Sequence, residues 1–414
     1  MKVIATVPRL RLKWALTNVL ALTMKTRIIS VLAVAFVPSL AFAIYAPIPE
    51  QEQGKALTYR LGTSIYHDSN IFGAATGERS SMVYNLSGTI SFNGSIDDQT
   101  FASAAYYLSN DHIVDRPGNK NLTSHRFSGR LAHSFSQATN IDVSGAYNIE
   151  KNPQSLLAGV PLNTDQSFKR AEADARYSTT LGQKTGLVAK YRLVDFAYDN
   201  SNLSDQLDRT ENLLGLELSY AMLPETKLVG EYRYQAIGYK TAGSSKDKKS
   251  NFLMAGFDYN PGKQLLMSAR AGFEDRKRDS QPNTTSPYLE LTSRYTYSEG
   301  SFLAAGYSYT IEEPSDTVRF NDSKVSSFFV NIQHRLSGAF TASGSVTYAP
   351  AKLQGRGLQA DIGETTTRFG LGLTWQPNKN LTVSGTYDLD NISSDDANRG
   401  QNRSRVGVSA SFTF

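Results

Sequence analysis

Arg405-Val406-Gly407-Val408-Ser409-Ala410-Ser411-Phe412-Thr413-Phe414 ends the chain, and its strict alternation decides the fold. Successive side chains of an extended strand point to opposite faces. Val406, Val408, Ala410, Phe412 and Phe414 therefore share one face, and Arg405, Gly407, Ser409, Ser411 and Thr413 share the other. The preceding segment repeats the pattern, with Leu381, Val383, Gly385, Tyr387 and Leu389 against Thr382, Ser384, Thr386 and Asp388. Before it, Phe369, Leu371, Leu373 and Trp375 stand against Arg368, Gly370, Gly372 and Thr374. Segments of about ten residues with one apolar and one polar face are what lipid on one side and water on the other require.

From Leu57 to Phe414 the chain divides into eighteen such segments whose connections alternate in length. Short ones fall at 93–98, 136–139, 180–184, 221–226, 260–263, 298–300, 335–338 and 375–380, with turn residues such as Asn93-Gly94, Pro261-Gly262 and Pro377-Asn378. Long polar ones fall at 67–80, 109–123, 151–168, 197–210, 240–249, 275–286, 312–324, 350–364 and 391–403. This predicts an all-β fold: a transmembrane antiparallel up-and-down β-barrel of about 18 strands, with short periplasmic turns and long extracellular loops. Closure is required, because backbone groups at an open sheet edge find no partner in lipid. A soluble sandwich, β-helix or propeller has no reason to alternate its loop lengths so strictly. Outward Tyr220, Tyr234, Tyr295, Tyr297, Tyr307, Tyr309 and Tyr348 read as interfacial girdles.

Composition agrees once its average is set aside. No apolar run beyond the N-terminal region is long enough for a membrane helix, yet 22 Tyr, 20 Phe and 31 Gly suit strands, and the absence of Cys suits an oxidising compartment. It also removes thiol nucleophiles and Cys-ligated metals. The net charge of +5 resides in the first 43 residues, where Lys2, Arg9, Arg11, Lys13, Lys25 and Arg27 meet no acid; the remainder, 37 basic against 38 acidic residues, is near neutral. Nothing points to nucleic acid.

Residues 1–43 read as a signal region, either with translation starting at Met24, the favoured reading, or as an unusually long signal: Lys25 and Arg27 precede the apolar Ile28–Leu40, and Ala41-Phe42-Ala43 offers a cleavage site. Residues 44–56, with Pro47 and Pro49, read as a periplasmic lead-in, and 57–414 as the barrel. The expected address is the outer membrane of a Gram-negative cell. Its lipid and lipopolysaccharide are then partners, as is the barrel assembly machinery, for which Phe412 and Phe414 read as the terminal signal.

With the apolar faces turned to lipid, the charges turn inward. The expected lumen set is Arg60, Arg126, Arg130, Arg170, Arg176, Lys190, Arg192, Arg233, Arg270, Arg294, Arg368 and Arg405, with Glu172, Asp174, Glu217, Glu231, Asp258, Glu274, Glu290 and Asp388. Six of the basic residues lie on the fourth, sixth and seventh segments. They read either as a basic wall favouring anions or as part of a salt-bridge lattice. The apolar run Leu156, Leu157, Ala158, Gly159, Val160, Pro161, Leu162 is foreign to an external loop; it either folds inward as a constriction or packs on other loops or another chain.

Catalytic and metal readings are weak. His133 and His334 fall on outward faces, and Asp111-His112 is a lone loop dipeptide. The acidic loop Asp388, Asp390, Asn391, Asp395, Asp396 has Ser393 where a calcium loop needs Gly and Arg399 where it needs Glu. We therefore expect no enzyme, cofactor or metal.

The opening hairpin, Tyr59 to Phe72, with Gly62, Tyr66, His67, Asp68, Ser69, Asn70, Ile71 and Phe72, resembles that of the β-barrel porin 2 family. His67 before Asp68 departs from it. The resemblance implies an outer-membrane component of exopolysaccharide secretion, with polysaccharide-secretion proteins as partners and no family catalytic residues. The residues alone leave a general diffusion porin, or a closed scaffold whose loops bind a partner or surface glycan, as alternatives.

Overall fold

A computed structural model of the protein describes residues 56–160, 164–241, 246–279 and 283–414. The expected signal region, nearly all of the lead-in, and Leu162 lie outside the described residues. Eighteen strands follow in order: β1 (Leu57–Asp68), β2 (Ser81–Ser95), β3 (Thr100–Ile113), β4 (Asn121–Ser134), β5 (Thr139–Glu150), β6 (Phe168–Thr180), β7 (Thr185–Tyr198), β8 (Arg209–Leu223), β9 (Thr226–Tyr239), β10 (Lys248–Tyr259), β11 (Leu265–Arg278), β12 (Thr284–Ser298), β13 (Ser301–Glu312), β14 (Phe320–Arg335), β15 (Phe340–Gly355), β16 (Ile362–Trp375), β17 (Leu381–Ser394) and β18 (Gln401–Thr413). A short helix, α1 (Ser201–Leu207), interrupts the β7–β8 connection.

Each strand pairs antiparallel with its sequence neighbours, and β18 returns to β1, so the sheet closes into the expected eighteen-stranded barrel. At the seam Leu61 lies opposite Phe412 on one side and Gly88 on the other. Register places the apolar set outward: Leu61, Leu86, Phe127, Leu216, Leu253, Phe328, Leu371 and Val408 are all exposed on the outer wall. No water-filled core explains such exposure; an apolar solvent does. Tyr220, Tyr295, Tyr297 and Tyr348 are likewise exposed, and the Tyr297 hydroxyl is hydrogen-bonded with His334 Nδ1 at 2.9 Å, beside a tight turn.

The boundaries differ from the sequence reading in two ways. Asn93-Gly94 lies inside β2, and the turn is made at 96–99, where Asp97 Oδ1 accepts from Gln99 N at 2.8 Å. The long connections are also shorter than expected, at 69–80, 114–120, 151–167, 199–208, 240–247, 279–283, 313–319, 356–361 and 395–400. Strands run 12–16 residues, beyond the 9–11 that a bilayer needs. Backbone pairing continues above the lipid, where side-chain alternation is no longer enforced, so Asp275 and Lys277 sit outward near the end of β11. Asp388, Asp390 and Asn391 likewise belong to β17 rather than a loop.

Candidate functional site: the lumen wall and its roof

The inward row of each strand carries the charges, and most are paired. Arg130 forms an ion pair with Asp142 on β5, Arg170 with Glu172 at 2.7 Å, and Arg192 with Asp174 at 2.6 Å. Lys190 reaches Glu217 at 2.6 Å and Glu231 at 3.0 Å, and Glu231 also receives Arg233 at 2.8 Å. Arg233 Nη1 donates to Tyr288 at 3.1 Å, whose hydroxyl in turn donates to Glu290 at 2.8 Å. Arg270 meets Asp258 at 2.9 Å, Arg368 lies 3.5 Å from Asp390, and Arg405 holds Asp390 at 2.9 Å. Glu274 accepts from Ser250 at 2.5 Å and faces Lys248 at 3.6 Å. Among the described residues this is a lattice, in which each arginine fork satisfies a neighbouring carboxylate that would otherwise be costly to dry.

Among the described residues, four expected lumen cations have no carboxylate within ion-pair reach. Arg60 Nε donates to Thr413 at 3.2 Å, Arg126 Nε to Asn148 Oδ1 at 3.0 Å, and Arg176 Nε to Ser178 at 3.4 Å; Arg294 lies 4.1 Å over the Phe302 ring. The basic surplus of the wall therefore sits at these positions rather than evenly over β4, β6 and β7. Asp142 went unnoticed although its parity with Ser144 marks it as inward. Arg276, Arg278 and Arg403 went unnoticed because their strand ends read as loop.

Depth divides the lumen. Toward the long connections, inward Ile237, Tyr239, Lys248, Ser250, Phe252, Glu274, Arg276 and Arg278 are buried; toward the tight turns, Arg60, Lys227 and Arg294 are exposed. The upper half is filled because the loops fold over it. The described part of the 151–167 loop, residues 151–160, crosses the mouth: Arg403 Nη1 and Arg405 Nη1 donate to Gln154 O at 2.8 and 2.7 Å, and Ser315 Oγ to Ala158 O at 3.3 Å. Ser315 follows β13, eight strands round from β5, which is nearly the opposite wall. Leu156 and Ala158 are buried under this roof; Leu157 donates its amide to Gln166 at 2.5 Å, and Val160 ends the described part of the run. Only about 10 Å³ remains between Ile71, Phe72, Arg116, Leu156 and Gln166.

Arg399 is the hub of the roof. Its guanidinium, 1% exposed, donates to Glu364 at 2.9 Å and Ser315 at 3.0 Å, lies over Phe320, and packs against Gly159. Helix α1, capped by Asn200, joins from the next sector through Thr317 Oγ1 to Gln206 O at 3.1 Å. Below it, Glu313 accepts from Arg278 at 2.8 Å and Tyr239 at 2.5 Å. Burial pushes the Glu313 carboxyl up, but Arg278, Lys248 and the Tyr239 hydroxyl more than offset this and hold it down at about 2.

Asp111 and His112 are consecutive residues within β3 and so face opposite sides: Asp111 accepts from Asn85 at 2.6 Å, while His112 meets Asn121. They make no catalytic pair. On the outer wall, Ala104, Gly129 and Gly145 lie side by side and leave a shallow apolar groove of about 590 Å³ between Phe92, Tyr106, Phe127 and Tyr147.

No protein-family model and no curated protein matches the chain. Solved structures similar to it include OccAB3 of Acinetobacter baumannii (12% identity, 86% of this chain and 99% of that one, TM-score 0.47) and OpdK of Pseudomonas aeruginosa with vanillate (11%, 86% and 99%, 0.47). The FrpB iron transporter of Neisseria meningitidis is a third (10%, 83% and 62%, 0.47). At this level the fold is carried by the strand ladder itself, and what those proteins transport does not transfer.

Proposed function

We propose that the protein is an outer-membrane channel for polar solutes in a Gram-negative envelope, with its tight turns in the periplasm and its roofed mouth outside. The observation that carries this reading is the sidedness of the closed barrel: an apolar outer band around a charged inner wall that exposes Arg60, Lys227 and Arg294 at its tight-turn end. The finer reading is a component of exopolysaccharide secretion, supported by the Tyr59–Phe72 resemblance; secretion proteins are then its partners, alongside lipopolysaccharide and the assembly machinery. A closed scaffold with partner-binding loops is the second reading, favoured by the 151–167 loop lying across the mouth. Single-channel recording in planar bilayers separates them. The channel reading expects discrete conductance steps that increase when the roof is loosened; silence from both the parent and a roof-loosened variant supports the scaffold.

A further inference from the structure

We infer that the lumen wall from β1 to β6 carries a binding track for an anionic saccharide, centred on Arg126. The inference rests on the channel reading for access. Strand register sets Arg60, Thr89, Tyr107, Arg126, Asn148 and Arg170 directly opposite one another, one per strand. At about 4.8 Å between strands the row extends about 24 Å along the wall. It alternates guanidinium groups with a hydroxyl, an aromatic ring and an amide, which together address a carboxylate, a sugar face and sugar hydroxyls.

Charge selects Arg126 as the centre. Among the described residues it donates to the neutral amide oxygen of Asn148, while the carboxylate of Glu150 acts on it only from beyond ion-pair distance, so most of its five donors remain for a solute, and Arg60 is in the same position with Thr413. The nearby cations Arg130, Arg170 and Arg192 are already matched by Asp142, Glu172 and Asp174. Tyr107, opposite Arg126, is 36% exposed, so its ring is available to a solute. The next row towards the tight turns is Ser91, Ala105, Ser128 and Ala146, whose short side chains let a chain lie against the wall. Access comes from the tight-turn end, where Arg60, Arg176 and Arg294 stand on β1, β6 and β12, spread round the opening with no carboxylate among the described residues within ion-pair distance. Such a basic vestibule concentrates anions before they reach the row.

The test is isothermal titration calorimetry of the detergent-solubilised barrel with trigalacturonate, maltotriose and inorganic phosphate. Trigalacturonate should bind at least tenfold more tightly than either of the others. Arg126→Gln should weaken it about tenfold and Arg126→Lys by less, while Tyr107→Ala should weaken both sugars; heat-modifiable migration confirms that each variant is folded. Equal binding of maltotriose, or no effect of Arg126→Gln, overturns the track, and phosphate binding as tightly as the trisaccharide reduces it to a bare oxyanion site. In bilayers, trigalacturonate should block from the tight-turn side faster than from the roofed side. A barrel that binds in the calorimeter but never conducts removes the channel reading and leaves the site standing.

Discussion

Arg403 near the start of β18 and Asp68 at the end of β1 form an ion pair across the closing seam, with Nη2 to Oδ2 at 2.5 Å and both groups almost wholly buried. The same guanidinium donates to Gln154 O, so one side chain both fastens the barrel and anchors the loop that crosses its mouth. Breaking a buried pair from one side leaves a dry, unmatched charge, at a cost of about 3–5 kcal/mol. Arg403→Gln should therefore lower the temperature of heat-modifiable migration and make the closed state noisier in bilayers. Adding Asp68→Asn should recover part of the thermal loss but not the loop anchor. An unchanged transition in Arg403→Gln would show that the seam does not depend on this pair.

Topology is testable because the chain has no Cys. Single cysteines at Asn202 in α1 and Asn398 in the 395–400 connection should react with an impermeant maleimide on intact cells, whereas those at Glu225 and Lys379 should react only after lysis. Labelling of all four on intact cells would overturn the sidedness.

The strand number and the two faces of the barrel were legible because lipid enforces a period of two on every crossing. Leu371 and Leu373 against Gly370 and Gly372 need no tertiary information. Above the lipid that enforcement stops, which is why Arg276, Arg278 and Arg403 read as loop although they continue the ladder. The charge pattern was legible as an inventory but not as a field: Arg130 and Arg192 read as basic wall, and only register brings Asp142 and Asp174 to their forks. The apolar Leu156–Val160 run announced a loop in search of cover. Its partners, Ser315 and Arg399, are distant in sequence and carry no local signal.

At the other end of the seam, Phe414 N donates to Tyr59 O at 2.9 Å and Phe412 packs on Phe414 at 5.2 Å between ring centroids. Removing Phe414 takes away a closing backbone pair as well as the proposed assembly signal. Outer-membrane yield should fall severalfold, with protease-sensitive chain left in the periplasm. Phe414→Tyr keeps the backbone bonds and the ring and should assemble nearly normally. Full yield without Phe414 would assign closure to the rest of β18.

Acid should act on the roof through Glu313. Its carboxyl titrates near 2 in the folded protein, against an ordinary value of about 4.3, so the unfolded state binds the proton more readily. Its contribution is fully present above about pH 4.3 and is lost as the pH falls towards 2. The contribution of Glu313 to mouth closure should thus be flat from neutrality to about pH 5 and weaken below pH 4, read as a rise in conductance below pH 4. Glu313→Gln should remove much of that dependence and open more readily at pH 7. A parent channel that loosens near pH 6 would point to a different group.

The sharpest test of the roof is at Gly159, where φ is +75° and an added Cβ would lie 2.9 Å from Arg399 Nη1 and 3.0 Å from Arg399 Cγ. A side chain there meets two penalties, a left-handed backbone costing about 1–2 kcal/mol and a collision with the hub of the roof. Arg399 has little freedom to yield, because Glu364 and Ser315 hold it and Phe320 lies beneath it. The loop should therefore give way, losing the Ser315 bond to Ala158 and uncovering the upper lumen. Gly159→Val should raise single-channel conductance severalfold while leaving barrel migration near that of the parent. Gly357→Val is the matched control: φ is +60° there, but nothing lies within 4 Å of an added Cβ, so it carries the backbone strain without the collision. If both variants conduct alike, strain in the loops rather than contact with Arg399 governs the mouth. If Gly159→Val conducts like the parent, the 151–167 loop is not what closes it.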